Sequence, residues 1–195
     1  INLFAERMSR MFGMLNTLLH ETNENDFNKL FSRIEKYENI SDNMELEIAN
    51  YLNKVSEGRL SSESKLEIRG MLREVTEIES IGDSCYNLAR TINRKRSGGN
   101  DFTEKQYEHI HQMMQLTDDA LAHMIAIVED DHHVVDVNKS FNLENEINNY
   151  RAQLKNQNVV DVNNKEYDYQ MGVHYMDLIG ECEKLGDYVV NVVEA

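Results

Sequence analysis

Pairs of carboxylates spaced four residues apart recur along the chain at matching positions. The stretch 77–83 contains Glu79 and Asp83, and a similar stretch 104 positions later contains Glu183 and Asp187. Residues four apart lie on one face of an α-helix, one turn from each other. Because like charges held this close repel, each pair predicts a compensating partner.

A second pair of segments carries a matching row of side chains. Glu38 and Asp42 have the same spacing, Glu45 extends their row, and Glu144 and Asn148 stand 106 positions after the first two. These positions follow an apolar helical stripe by one residue, so we place them at the edge of the buried seam. Carboxylates that converge there raise each other's pKa or hold a cation. Such oxygen ligands suit Mg²⁺, Mn²⁺, Ca²⁺ or ferric iron better than zinc.

The composition is acidic and lacks proline. The 195 residues include 35 acidic and 20 basic side chains, giving a formal net charge of −15. This charge argues against nucleic acid as a partner. The absence of proline leaves long helices uninterrupted and predicts an all-α fold.

We interpret Cys85 and Cys182 as core residues of a reducing compartment. No apolar run reaches the ~20 residues that a spanning helix needs.

Helical periodicity predicts six helices in two matching sets of three. Their approximate ranges are 2–21, 26–55, 62–96, 103–129, 137–156 and 164–195. Asp26 is the expected N-cap of the second helix, and Thr103 with Gln106 forms a capping-box pattern before the fourth. A Gly-Gly break near 97–101 separates the sets. We therefore predict two tandem three-helix bundles, 1–97 and 103–195, related by internal duplication.

The stretch 77–83 with Asn87, and its echo ending in Gly186-Asp187 with Asn191, resembles the signature of PhoU-type proteins. The resemblance implies two tandem three-helix bundles whose E/DxxxD motifs bind multinuclear iron or other metal clusters. Iron is the expected metal, with manganese, magnesium, calcium and zinc as alternatives. By matching motif positions, the implied ligands are Glu38, Asp42, Glu79, Asp83, Glu144, Glu183 and Asp187, with Glu45, Asn87, Asn148 and Asn191 as accessory residues.

The same resemblance implies a non-enzymatic regulator of phosphate uptake and signalling. A membrane phosphate transporter, in cis or in trans, is the implied partner, a sensor kinase is a further one, and a homodimer is left open. The expected location is the cytoplasm, tethered to or peripheral at the inner membrane. The start at Ile1 and the stretch 144–151 favour the C-terminal cytosolic domain of a bacterial sodium/phosphate symporter as host.

One position departs from the motif. Asn148 stands where the motif has an acid, and a neutral amide offers a carbonyl oxygen with less charge. We therefore expect the second half to bind metal more weakly than the first, or not at all.

Two other functions are left open by the residues. A metal-free acidic helical module could dock a basic surface of a kinase or transporter. A di-iron carboxylate bundle would use the ExxH pairs Glu108/His111 and Glu129/His132. Each pair lies in or at the end of one predicted helix, whereas that site needs two helices. His132 and His133 are more simply a solvated helix terminus. No nucleophile–base arrangement or glycine-rich phosphate loop is present, so we expect no enzyme.

Overall fold

Six α-helices account for most of the computed structural model, which describes residues 1–130 and 135–195. No strand occurs in these two ranges. The all-α prediction with six helices is therefore confirmed. In chain order the helices are α1 (Asn2–His20), α2 (Glu24–Ser56), α3 (Ser62–Ser97), α4 (Glu104–Glu129), α5 (Asn138–Asn163) and α6 (Tyr169–Glu194).

Side-chain caps fix where several helices begin. The expected capping box before α4 is present, with Thr103 and Gln106 each bonding the other's backbone N–H. The prediction that Asp26 caps α2 is wrong. Asn23 is the N-cap, and its side chain accepts a hydrogen bond from the Asp26 N–H at 3.1 Å. An Asp is favourable both as an N-cap and in the first turn, where it meets the positive end of the helix dipole. The residue type alone therefore did not show which of these positions Asp26 occupies.

The connection between α5 and α6 lies later in the chain than expected. Helix α5 continues to Asn163, and α6 begins only at Tyr169. The intervening turn contains Lys165 with φ 59°, and Asp168 caps α6 by accepting from the Met171 N–H at 2.8 Å. The run of asparagines before it remains helical because a weak helix propensity yields to tertiary packing.

Each half of the chain contains three helices that contact one another. Helices α1, α2 and α3 form one set, α4, α5 and α6 form the other, and α3–α6 and α1–α4 contacts join them. One hydrophobic cluster runs through both sets. Helix α1 supplies a fully buried stripe to it: Phe4, Met8, Met11, Leu15 and Leu18. Burying side chains of this size stabilises the fold by about 1.5–3 kcal/mol each.

The two long helices of the first half extend past α1. Helix α1 has 19 residues, whereas α2 has 33 and α3 has 36. Ile34 and Ser41 of α2 are buried, whereas Tyr51 and Val55 at the same helical spacing are exposed, and Leu52 is the buried residue near that end of the helix. The acidic row of α2 therefore lies beside its covered part.

Both cysteines lie in the core. Cys85 on α3 and Cys182 on α6 are buried free thiols, as expected of core residues. Burial raises the pKa of the Cys182 thiol to about 12, so it remains protonated. Within the described ranges, no helix combines the length and the apolar character that crossing a membrane requires.

Candidate metal centre

The seam between α2 and α3 sets the direction of the acidic side chains. Ser41 on α2 is buried, and its hydroxyl donates to the Tyr37 carbonyl oxygen at 2.7 Å. On α3, Ile78 and Gly82 are buried. The acids that follow these positions are therefore turned to the rim where the helices meet. Glu38, Asp42 and Glu79 are half-buried there, and Asp83 is exposed.

Four carboxylates meet at this rim. Each can offer one oxygen atom such that all four oxygens lie within 4.8 Å of one another, and the group consists of Glu38, Asp42, Glu79 and Asp83. Hard cations bind carboxylate oxygens at about 2.0–2.6 Å, so ligand oxygens on opposite sides of one ion are about 4–5 Å apart. The arrangement has the size of a metal site, and the predicted convergence of the two acidic edges is present.

The group is under electrostatic stress without a cation. Burial, a hydrogen bond with Asp83 and the charge of Asp42 raise the pKa of Glu38 to about 7. Burial and hydrogen bonds with Asp42 and Asp83 raise the pKa of Glu79 to about 9. The guanidinium of Arg90 lowers the pKa of Glu38 without cancelling this rise, so the chain compensates the negative charge at the rim only in part.

Glu45 belongs to the same surface. Burial and then the charges of Asp42 and Asp83 raise the pKa of its carboxyl group. Its charge therefore adds to the field of the four-carboxylate group, and the accessory role expected for it stays a prediction.

The second half arranges its equivalent residues differently. Glu144 and Asp187 hydrogen-bond each other, and Asn148 hydrogen-bonds Glu144. Glu183 is paired with Arg151, whose Nε lies 3.0 Å from a Glu183 carboxylate oxygen. This half thus holds three carboxylates, one amide and one guanidinium, and part of its charge is compensated within the chain.

Sequence reasoning did not assign a role to Arg151, although a signal was available. Arg151 stands 106 positions after Glu45, in the register that matches Glu144 to Glu38. Extending that register by one helical turn places a cation of the second half where the first half has an acid.

The two other accessory residues lie in the contact between α3 and α6. Asn87 donates from Nδ2 to Glu181 Oε1 at 3.3 Å, and Asn191 donates from Nδ2 to Glu77 Oε2 at 3.1 Å. The two bonds join equivalent residues of the repeat in reciprocal fashion. Both asparagines therefore have a role in packing the halves together.

Glycine at the rim makes room for the core and not for a ligand. A Cβ on Gly82 would lie 3.1 Å from Sδ of Met8, and one on Gly186 would lie 3.3 Å from Cδ1 of Ile147. Glycine at both positions therefore permits the close approach of a neighbouring helix.

The histidine pairs do not form a di-iron group in the described part of the chain. His132 and His133 lie outside the described residues. His111 faces His20, with the two Nε2 atoms 2.6 Å apart. Within the described ranges, the α2–α3 group alone brings three or more His, Cys, Asp or Glu ligands together.

Comparison with solved structures supports the fold. PhoU from Pseudomonas aeruginosa superimposes with a TM-score of 0.86 at 13% identity, covering 98% of this chain and 89% of that chain. The phosphate transport system regulatory protein PhoU from Streptococcus pneumoniae gives a TM-score of 0.75 at 16% identity, covering 98% and 88%. No curated protein sequence matches the chain significantly.

The family relationship rests on sequence. The family model described as the PhoU domain matches residues 1–92 and 110–195, which together make up most of the chain. The chain belongs to the PhoU domain family.

Proposed function

We propose that this chain is a metal-binding, non-enzymatic regulatory domain of phosphate transport or phosphate signalling. The observation that carries the proposal is the group of four carboxylates within 4.8 Å on a PhoU-family fold. A regulatory role is supported by the name of the S. pneumoniae structure, a phosphate transport system regulatory protein.

The proposed ligands are Glu38, Asp42, Glu79 and Asp83, assisted by Glu45. Iron is the first candidate ion, and manganese, magnesium, calcium and zinc are the alternatives. A bound ion replaces the protons that Glu38 and Glu79 otherwise retain near neutral pH. Occupancy replaces protons at the rim with a multiply charged ion, and so changes the charge and the groups that the rim presents to a docking partner.

The proposed partner is a membrane phosphate transporter, acting in cis or in trans. In the first case the chain is the C-terminal domain of a sodium/phosphate symporter, and in the second it is a peripheral protein at the cytoplasmic face of the inner membrane. A sensor kinase and a second copy of the chain are further partners to test. The repeats 1–97 and 103–195 are the proposed structural units, of which the second is the weaker metal binder.

Measurements of metal content and of thermal stability together test whether the four carboxylates bind a metal ion. The test variant is Glu79→Gln/Asp83→Asn, and the matched control is Glu63→Gln/Glu67→Gln, an exposed acidic pair with the same spacing on α3. We expect purified wild type and control to carry iron or manganese and the test variant to carry none. An ion at 100 times its Kd stabilises the folded state by about 2.7 kcal/mol, which raises Tm by roughly 5–10 °C. Equal metal content in all three proteins contradicts the proposal.

A metal-free interaction module is the second candidate function. It is supported by the same incompletely compensated acids, because a basic partner surface could neutralise Glu38 and Glu79 in place of an ion. Salt-sensitive binding to the transporter that survives exhaustive chelation distinguishes this function from the first. Loss of binding on chelation, restored by iron or manganese, supports the metal-dependent one.

A further inference from the structure

The halves are joined at one point by two imidazole rings. His20 is the last residue of α1, His111 lies in α4, and their Nε2 atoms are 2.6 Å apart. The ring centroids are 4.8 Å apart with an interplanar angle of 44°, and Tyr107 packs beside both rings. Two nitrogens that could each carry a lone pair therefore point at the same place.

A hydrogen bond explains this contact only for one pair of tautomers. One Nε2 must carry a proton and the other must not. In the described ranges, neither Nδ1 atom has a protein partner that would fix this choice. Both residues are exposed, and both rings can therefore hold their proton on Nδ1 and turn two Nε2 lone pairs toward each other. That arrangement is favourable when a cation lies between them.

A metal ion binds the neutral form of an imidazole ring, and it needs room beside the pair. An open cavity of about 460 Å³ adjoins the pair and is lined on its polar side by Asn16, Gln115 and Asp118.

Residues of α4 extend the site along one helix face. His111, Gln115 and Asp118 are spaced by four and three positions, which places them on successive turns of the same side. Burial and the charge of Asp119 raise the pKa of Asp118. Water, or the side-chain oxygens of Asn16, Gln115 and Asp118, would fill the remaining coordination positions of an ion held by the two rings.

We infer that His20 and His111 form a second metal site, specific for a borderline transition ion such as Zn²⁺, Ni²⁺ or Cu²⁺, that ties α1 to α4. Imidazole nitrogens favour these ions, whereas the all-oxygen group on α2 and α3 suits harder ones. Two nitrogens at about 2.0–2.1 Å from a tetrahedral ion lie about 3.3 Å apart. The two rings reach this separation by opening from 2.6 Å, which rotation of two exposed side chains allows.

Calorimetric titration of the full chain with Ni²⁺ and Zn²⁺ tests the site. The variants are His20→Gln and His111→Gln, and the control is His123→Gln. His123 lies nearer the C-terminal end of α4, where its ring hydrogen-bonds the carbonyl oxygen of Asp136. Because each ring is one arm of a chelate, we expect either test variant to weaken Ni²⁺ binding about 100-fold. The control should bind as wild type does.

Two further variants separate this site from the other possible ligands. His132→Gln/His133→Gln should leave Ni²⁺ affinity unchanged, and Glu79→Gln/Asp83→Asn should lose Mn²⁺ or iron while keeping Ni²⁺. Loss of Ni²⁺ binding in the His132/His133 variant, or a change below threefold in both His20 and His111 variants, overturns the inference.

Electron paramagnetic resonance of bound Cu²⁺ gives a readout that does not depend on how the His20 and His111 variants fold. In the His132→Gln/His133→Gln background we expect hyperfine coupling to two nitrogens at one equivalent of Cu²⁺. A spectrum of oxygen ligands alone contradicts the inference.

Discussion

The Nε atom of Arg151 lies 3.0 Å from a carboxylate oxygen of Glu183, whereas the equivalent position of the first half holds an acid, Glu45. The neighbouring exchange of Asp42 for Asn148 acts in the same direction. The acidic row of α2 carries three carboxylates, and that of α5 carries one carboxylate, one amide and one guanidinium. The second half thus compensates part of its charge within the chain through Arg151, whereas the first half relies more on protons or a cation.

The first prediction is that two substitutions create a metal site in the second half. Asn148→Asp/Arg151→Glu restores the acidic row of the first half beside Glu183 and Asp187. We expect about one additional ion per chain under conditions that saturate the first site, measured by mass spectrometry of the purified protein. Without metal, the variant should be less stable than wild type because Glu183 loses its partner.

Adding Glu144→Gln to that variant is the control for location. The additional ion should be lost while the ion of the first half remains. If the metal content of Asn148→Asp/Arg151→Glu equals that of wild type, Arg151 and the neutral Asn148 are not what keeps metal out of the second half.

The second prediction concerns pH. Glu79 and Glu38 have folded-state pKa values of about 9 and about 7, raised from 4.5, so the folded state binds their protons more tightly than the unfolded state. Stability from these groups is fully present below about pH 4.5 and is lost as pH rises through 7 and 9. Urea unfolding in the presence of a chelator should therefore show falling stability over this window.

Glu79→Gln tests the origin of that pH dependence. The amide cannot ionise, so the variant should lose less stability than wild type between pH 5 and pH 9. Saturating metal should also flatten the dependence of wild-type stability on pH. The carboxylates bind the ion in their deprotonated form, so the folded state no longer holds the extra protons. Parallel profiles for wild type and variant would assign the pH dependence to other groups.

Much of the fold could be predicted because its signals are local. The apolar stripes, the capping box at Thr103 and the missing prolines each act within a few residues, and they were sufficient for six helices. The end of α5 was not predictable, because Asn163 lies in a helix that propensity alone would end earlier. The exposure of Tyr51 depends on how far α1 reaches along α2, which is a tertiary fact.

The candidate site was predictable in its composition but not in its partners. The i,i+4 spacing and the repeat identified Glu38, Asp42, Glu79 and Asp83, and the structure brings these four together. The hydrogen-bonded partners of Asn87 and Asn191 come from the opposite half, more than ninety positions away in the chain. Their pairing depends on how α3 crosses α6, which no local pattern encodes.

The third prediction gives Glu45 a smaller effect on metal binding than Glu79. Glu45 acts on the site through its charge near Asp42 and Asp83, so Glu45→Gln should weaken metal binding by about tenfold, or about 1.4 kcal/mol. Glu79→Gln removes a proposed ligand and should weaken it by about 100-fold or more. Isothermal titration with Mn²⁺ measures both, and Glu47→Gln, an exposed acid on α2, is the matched control.

High salt separates a field effect from ligation. The Glu45→Gln effect should shrink in about 1 M salt, where the Debye length is about 3 Å. An effect equal to that of Glu79→Gln at every salt concentration would make Glu45 a ligand.

The fourth prediction concerns the reciprocal bonds between the halves. Asn87 binds Glu181 and Asn191 binds Glu77, so each Asn→Ala change should cost about 1–2 kcal/mol in urea unfolding. The two bonds are ten positions apart along α3, or about 15 Å, so the two costs should add. Neither variant should change metal content. A loss of metal in Asn87→Ala with unchanged stability would instead restore this residue to the ligand group, and the crossing of α3 and α6 would have to be held by apolar packing alone.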